Sequence, residues 1–124
     1  MTSIAETIDV ADINDIAAYF SSQKRKAGSH ENVGASAGRR LYMQGIKRKG
    51  VDACADCHGD NGMGNIFAQY PLIAGQHSDY IVTTLKRFRS GKRNNDLSNI
   101  MQDIAEKLSD EEITLLASYI MNLK

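Results

Sequence analysis

The stretch "DACADCHGDNG", residues 52–62, decides what kind of fold this sequence can form. Two residues separate Cys54 from Cys57, and His58 follows the second cysteine directly. These are the only two cysteines among the 124 residues. The motif is therefore half of a metal site, a dithiol or disulfide, or a point at which a cofactor is attached to the chain.

Three of these alternatives have weak support from the rest of the chain. A structural zinc site needs four nitrogen or sulfur ligands, and besides the cysteines only His30, His58 and His77 are available, at irregular spacing. A redox dithiol is expected inside a βαβ unit, but no β-rich runs flank residues 54–57. An unrelated disulfide or a pair of free thiols is the third alternative.

Covalent haem attachment accounts best for the order of the motif residues. C-x-x-C-H is the attachment signature of c-type haem. Two thiols add to the two vinyl groups of one porphyrin edge, and the intervening pair of residues sets the distance between the sulfur atoms. The next residue, His58, is then carried under the ring plane, where its imidazole can ligate iron.

Four further segments resemble one known family. They are the sequences "ACADCHGDNGMGN" (53–65), "YPLIAGQHSDYI" (70–81), "LKRFRSGKRNN" (85–95) and "IAEKLSDEEITLLASYI" (104–120). In this order they resemble a class I cytochrome c, and specifically a domain of the diheme cytochrome c4 type, over about residues 34–124. The resemblance implies an all-α fold in which helices and loops surround one covalently bound haem c.

The apolar periodicity predicts where these helices lie. One helix is expected from about Ser36 to Lys49, closed by Gly50, and another from about Ser78, which can cap it, to Gly91. A short helix is expected near 99–107. The buried faces should contain Ile81, Leu85 and Phe88, then Met101, Ile104, Ala105 and Leu108, and finally Ile113, Leu116, Ala117 and Ile120.

Two local patterns predict how the last helix starts and packs. The run "SDEE", Ser109–Glu112, is a capping box. Gly38 and Tyr42 on the first helix of the domain, with Leu116 and Tyr119 on the last, resemble the crossing of the terminal helices in class I cytochromes.

The resemblance also implies roles for residues beyond the cysteine motif. Met101, shortly before the capped last helix, stands where the family has the second axial ligand of the iron; His77 or His30 is the alternative. Pro71 is placed as the family's loop proline is, and its carbonyl is the expected acceptor for the second ring N–H of His58. Arg93 is the first choice among the basic residues for a bond to a haem propionate.

Residues 1–24 resemble residues 101–124. Eight of the 24 positions are identical, including "IAE" at 4–6 and 104–106. We interpret residues 1–24 as the C-terminal end of a preceding cytochrome domain, 25–33 as a linker and 34–124 as the haem domain. The extra N-terminal helix should begin near Val10, capped by Asp9. Its apolar face consists of Ile13, Ile16, Ala17 and Phe20. This face should fold back on its own domain or form a homodimer. Met1 occupies the register of Met101.

Charge and hydropathy exclude some partners. Fifteen basic and fifteen acidic residues cancel, so nucleic-acid binding is not indicated. Basic residues cluster at 24–50 and 86–93, as solvated helix faces or as a docking surface for an acidic partner. The sequence contains no run of 18 apolar residues, so no membrane span is predicted. No signal peptide is visible, yet the family's haem attachment outside the cytoplasm implies export to the periplasm.

The function that this pattern predicts is single-electron transfer through a His/Met-ligated haem c, in a multihaem respiratory-chain protein and without enzymatic activity. Six-coordinate iron leaves no position for a substrate. The expected partners are a terminal oxidase, a cytochrome bc-type complex, or a dehydrogenase or reductase fused in the same chain. The alternative is the haem domain of an enzyme or small-ligand sensor whose sixth ligand is displaceable.

Overall fold

The computed structural model describes residues 2–23 and 35–124, in which helices are joined by long loops. The predicted linker, His30 and Met1 lie outside these ranges. Isolated bridges join Ile46 to Val51 and Asn65 to Tyr70, and no strand occurs in the described ranges. The helices are α1 (Thr2–Ala5), α2 (Val10–Ser22), α3 (Ala35–Gln44), α4 (Cys54–His58), α5 (Ser78–Arg89), α6 (Ile100–Glu106) and α7 (Asp110–Met121).

The crossing of α3 and α7 is the centre of the fold. A Cβ atom on Gly38 would lie 2.5 Å from the Leu115 carbonyl oxygen and 2.8 Å from Tyr119 Cβ, so only glycine allows this approach. The Tyr42 and Tyr119 rings pack beside it with centroids 5.4 Å apart. The predicted contact between the first and last helices of the domain is confirmed.

The predicted buried faces of α5, α6 and α7 are also confirmed. Helix α5 packs against both α6 and α7. The capping box is complete, because Glu112 N–H donates to Ser109 Oγ (3.2 Å) and Ser109 N–H donates to Glu112 Oε2 (2.7 Å). Met101 and Ile104 of the predicted α6 face are partly buried against the same core. The buried apolar residues of these helices are Ile81, Leu85, Phe88, Ala105, Ile113, Leu116, Ala117 and Ile120.

One predicted helix boundary and one predicted cap are wrong. Helix α3 ends at Gln44, not at Lys49, because the chain turns at Gly45 and then pairs Ile46 with Val51. Residues 47–49 form a separate 3₁₀ turn, closed by Gly50 in the left-handed conformation. At α5, Ser78 is the first helical residue and no side chain caps the helix, so the predicted Ser78 cap is absent.

Helix α2 begins at Val10 with Asp9 at the N-cap, as predicted, although the Asp9 side chain makes no capping bond. It buries none of its residues, and Phe20 is 68% exposed. The helix therefore does not fold back on the described part of its own domain, which corrects that expectation. Its apolar stripe faces solvent.

Several residues of the basic runs join helices instead of forming a free cationic face. Lys86 and Arg89 on α5 both pair with Asp110 at the start of α7, at 2.8 and 2.6 Å. Lys49 Nζ lies 2.6 Å from Glu112 Oε2, and both side chains are partly buried.

None of the helices in the described ranges combines the length and the hydropathy of a membrane span.

The Lys49–Glu112 pair predicts a pH-dependent contribution to stability. Burial acts to raise the Glu112 pKa, but hydrogen bonds from Lys49 and Ser109 outweigh it and hold this pKa below its usual value. The contribution is therefore present above the unfolded pKa, about 4.3, and is lost as pH falls through the folded pKa. Lys49→Met should lower the free energy of unfolding by about 1 kcal/mol at pH 7.

Denaturant unfolding of Lys49→Met and the parent between pH 7 and pH 3 checks this expectation. The difference between the two proteins should shrink towards pH 3. The matched control is Lys86→Met, whose pair with Asp110 is more exposed and should matter less. A Lys49→Met deficit that stays constant over this range would contradict the assignment.

Candidate haem-binding site

The cysteine motif forms a single helical turn, α4 (Cys54–His58). Both cysteines are free and half-buried, whereas His58 is only 8% exposed. The turn ends at Gly59, whose N–H donates to the Ala55 carbonyl at 2.8 Å. Two sulfur atoms and one imidazole are thereby presented by five consecutive residues.

The orientation of the His58 ring is set by Pro71. The His58 Nδ1 atom lies 2.8 Å from the Pro71 carbonyl oxygen. Because a carbonyl oxygen can only accept, Nδ1 carries the proton and donates, and the lone pair is on Nε2. No other hydrogen bond to this ring occurs in the described ranges, so Nε2 is left without a hydrogen-bond partner, as the ligating nitrogen of a metal-bound histidine must be.

The glycine-rich loop after α4 brings Pro71 back to His58. Gly64 N–H donates to the His58 carbonyl at 2.7 Å. A Cβ atom on Gly64 would lie 2.6 Å from the Pro71 carbonyl carbon and would also overlap the Tyr70 carbonyl oxygen. Sequence reasoning noted the glycines but missed this close approach, which only the returning chain creates.

The Cys54 thiol does not have the character of a redox-active cysteine. Burial raises the pKa of the Cys54 thiol to about 11, whereas reactive C-x-x-C pairs depend on a lowered thiol pKa. No group of three or more His, Cys, Asp or Glu residues suited to a metal ion occurs in the described part of the chain. The dithiol and zinc alternatives therefore gain no support.

Met101 lies in the first turn of α6, half-buried against the same core cluster as Cys54. The Asp96 carboxylate fixes this turn, because it accepts from Met101 N–H (2.8 Å) and Gln102 N–H (3.2 Å). Burial acts to raise the Asp96 pKa, but these hydrogen bonds outweigh it and leave the pKa below its usual value. Met63, by contrast, is 44% exposed.

Two contacts hold the Arg93 guanidinium, and neither involves the cysteine motif. Its guanidinium carbon lies 4.6 Å from the centre of the Phe88 ring, and its Nε–H donates to Asn95 Oδ1 at 3.0 Å. It makes no hydrogen bond to Cys54, Cys57 or His58 in the described ranges. Its assignment to a propionate stays a prediction.

Exposed apolar side chains are available to contact a porphyrin. They lie in the loop that carries Pro71, at the start of α5 and in the turn that leads into α6, and Phe67 is 98% exposed. Soluble domains rarely leave this much apolar surface uncovered without a ligand or partner. The set consists of Ile66, Phe67, Leu72, Tyr80, Leu97 and Ile100. Two thiols, an imidazole with a free Nε2 and exposed apolar side chains together suit a covalently attached haem c.

A protein-family model described as cytochrome c matches residues 35–124. The chain belongs to the cytochrome c family. The cytochrome c4 of Azotobacter vinelandii is 43% identical over 124 residues, which cover 99% of this chain and 59% of that protein. A thiosulfate dehydrogenase electron acceptor of Stutzerimonas stutzeri is 34% identical over 99% of this chain and 52% of that protein.

Solved structures confirm the class I cytochrome c fold. The crystal structure of reduced recombinant cytochrome c4 from Pseudomonas stutzeri superimposes with a TM-score of 0.95 at 42% identity. The superposition covers 100% of this chain and 66% of the cytochrome c4 chain. This cytochrome c domain is an electron-transfer domain that binds one haem c covalently through Cys54 and Cys57. The chain spans 59% of the length of the Azotobacter vinelandii cytochrome c4 and 52% of the length of the thiosulfate dehydrogenase electron acceptor.

Proposed function

We propose that this cytochrome c domain is a one-electron carrier whose axial ligands are His58 and Met101, within a multihaem protein. The observation that carries the proposal is the 2.8 Å contact between His58 Nδ1 and the Pro71 carbonyl oxygen. It fixes the imidazole in the tautomer that offers Nε2 to iron. The placement of Met101 at the Asp96-capped start of α6 supports it as the second ligand.

The bound haem supplies one-electron exchange between ferric and ferrous iron. The chain's own residues control that exchange. Cys54 and Cys57 anchor the cofactor through thioether bonds, and the Pro71 carbonyl orients His58 and raises its basicity. Met101 would supply a thioether as the second ligand, and Met/His ligation raises the reduction potential. Ligation by both side chains would leave no position for a substrate, which favours a carrier over an enzyme.

The proposed domain division treats residues 1–24 as the end of a preceding cytochrome domain and 25–33 as a linker to 34–124. The sequence of α2 matches that of α7, yet the equivalent faces differ in burial. Ile113 and Ala117 are buried, whereas Ile13 and Ala17 are exposed. A haem domain preceding α2 would cover this face, as the haem domain here covers α7.

The proposed partners are redox proteins in the periplasm. A relative's name describes it as the electron acceptor of thiosulfate dehydrogenase, which supports a dehydrogenase as donor. A terminal oxidase or a cytochrome bc-type complex fits the same one-electron chemistry as the second redox partner. Export is proposed because the family attaches its haem outside the cytoplasm.

An optical spectrum and a carbon monoxide titration of the loaded protein test the proposed ligands. The ferric protein should show the weak long-wavelength band of a thioether–iron bond. The ferrous protein should not bind carbon monoxide at low concentration. A five-coordinate spectrum with ready carbon monoxide binding would contradict the carrier and favour the enzyme or sensor alternative.

The exposed face of α2 predicts self-association when the 124-residue chain is produced alone. Apolar patches of this kind usually find a partner, and two-fold dimers are the commonest small assembly. The double variant Ile13→Ser/Phe20→Ser should turn a dimer into a monomer without changing the haem spectrum. Sedimentation measures the mass, with Ala18→Ser, exposed on the opposite side of α2, as the control. A parent chain that is monomeric at high concentration would contradict the homodimer.

A further inference from the structure

Tyr42 makes a contact that its packing role does not require. It lies in the second half of α3 and is 0% exposed. Its hydroxyl donates a hydrogen bond to the Gly59 carbonyl oxygen at 2.7 Å. Phenylalanine would fill the same space at the α3–α7 crossing, so the hydroxyl adds only the bond to Gly59, the residue directly after His58.

The Gly59 carbonyl is the first link in a run of hydrogen bonds that reaches the Pro71 segment. It also accepts from Gly62 N–H at 3.0 Å. The Gly62 carbonyl then accepts from Ile73 N–H (2.8 Å) and Ala74 N–H (3.0 Å). Ile73 and Ala74 follow Pro71 closely along the chain. The turn after His58 and the segment that carries the Pro71 carbonyl are therefore held together. The Tyr42 hydroxyl connects both to helix α3.

We propose that Tyr42 is a positioning residue for His58: its hydroxyl fixes Gly59 and so keeps the Pro71 carbonyl on the His58 Nδ1–H. The inference rests on the proposed role of His58 as an iron ligand. It adds a residue of α3 to the set that controls that ligand. Three successive hydrogen bonds, Tyr42–Gly59, Gly62–Gly59 and Ile73–Gly62, form this path.

The physical state of the hydroxyl suits this role. Burial, followed by the nearby Cys54 and Tyr119, raises the Tyr42 pKa far above its usual value. The group therefore remains a protonated donor wherever the protein is folded. Removing it leaves the Gly59 carbonyl with Gly62 N–H as its donor, and the turn over 59–62 loses its tie to α3.

Loss of the Tyr42 hydroxyl is expected to affect the His58 imidazole through the Pro71 carbonyl, which accepts its hydrogen bond. A hydrogen bond from Nδ1–H to a carbonyl raises the basicity of a metal-bound histidine. A looser Pro71 contact lowers that basicity, and a less basic ligand stabilises ferric iron less. The reduction potential should then rise.

The test compares Tyr42→Phe with Tyr119→Phe in the haem-loaded protein. Tyr119 packs on Tyr42 at the same helix crossing, but its hydroxyl makes no hydrogen bond in the described ranges. We expect NMR of the reduced protein to show about fivefold faster exchange of the His58 Nδ1 proton in Tyr42→Phe alone. That factor equals about 1 kcal/mol, the net value of one hydrogen bond. The reduction potential should rise in the same variant and stay at the parent value in Tyr119→Phe.

Unchanged exchange and potential in Tyr42→Phe, even with lowered thermal stability, would overturn the inference and leave Tyr42 a packing residue. Equal shifts in both variants would overturn it too. A parent spectrum without histidine ligation would overturn the proposed function itself, before any variant is compared. If Tyr42→Phe does not accumulate as folded holoprotein, 3-fluorotyrosine at position 42 replaces it. This stronger donor should slow the exchange and lower the potential, and no change would again overturn the inference.

Discussion

Replacing both Cys54 and Cys57 by alanine should leave a chain without covalent haem and without a stable native fold. The domain is small, and its buried apolar cluster comes from short helices separated by long loops. Domains of this size bury a limited core, and many depend on a cofactor or crosslink. The exposed apolar side chains around Pro71 and Met101 would have no cofactor surface to pack against.

The size of this effect can be estimated from ligand binding in general. Losing a cofactor that binds only the native state lowers stability by about 4 kcal/mol at a thousandfold excess over its Kd, which is a large part of the roughly 5–15 kcal/mol that holds a domain folded. Circular dichroism and pyridine haemochrome absorbance check both parts. The single variants Cys54→Ala and Cys57→Ala are the matched controls, each with one thioether left. A double variant that is fully helical and unfolds cooperatively would show that the core does not depend on haem.

Met101→Ala should lower the reduction potential and open the sixth coordination position to carbon monoxide. The thioether is the weak donor that favours ferrous iron, and its loss removes that preference. A fall on the order of 0.1 V is expected, within the roughly 0.8 V over which axial ligands set haem potentials. Redox titration and carbon monoxide binding measure the two effects.

Two control variants separate ligation from packing. Met101→Leu keeps the volume of this half-buried side chain but has no sulfur, so it should behave as Met101→Ala does. Met63→Ala changes an exposed methionine and should leave both measurements at the parent values. If Met63→Ala loses the sixth ligand while Met101→Ala resembles the parent, the assignment of Met101 is wrong.

Regular, local patterns were predictable from the sequence. The Ser109–Glu112 capping box and the buried face of α7 follow from residues within a few positions of one another. The Gly38–Tyr119 crossing was predictable only through resemblance, since the two residues are distant along the chain. The cysteine motif identified the cofactor because its chemistry is contained in five consecutive residues.

The features that sequence reasoning missed depend on distant partners. The early end of α3 follows from the pairing of Ile46 with Val51, which no helical periodicity reveals. The basic run at 86–93 was ambiguous because Asp110, which neutralises Lys86, lies on another helix. The Tyr42–Gly59 bond was invisible for the same reason, since tyrosine and phenylalanine give one apolar pattern.

The crossing at Gly38 also places the two ends of the haem domain side by side. Gly38 lies near the start of α3, and Tyr119, which it touches, lies near the end of α7. Adjacent ends make a fold tolerant of circular permutation and of end-to-end gene duplication, because a short connector spans them without opening the core. New ends could then fall at Gly91, where the chain is exposed and a side chain would meet open space.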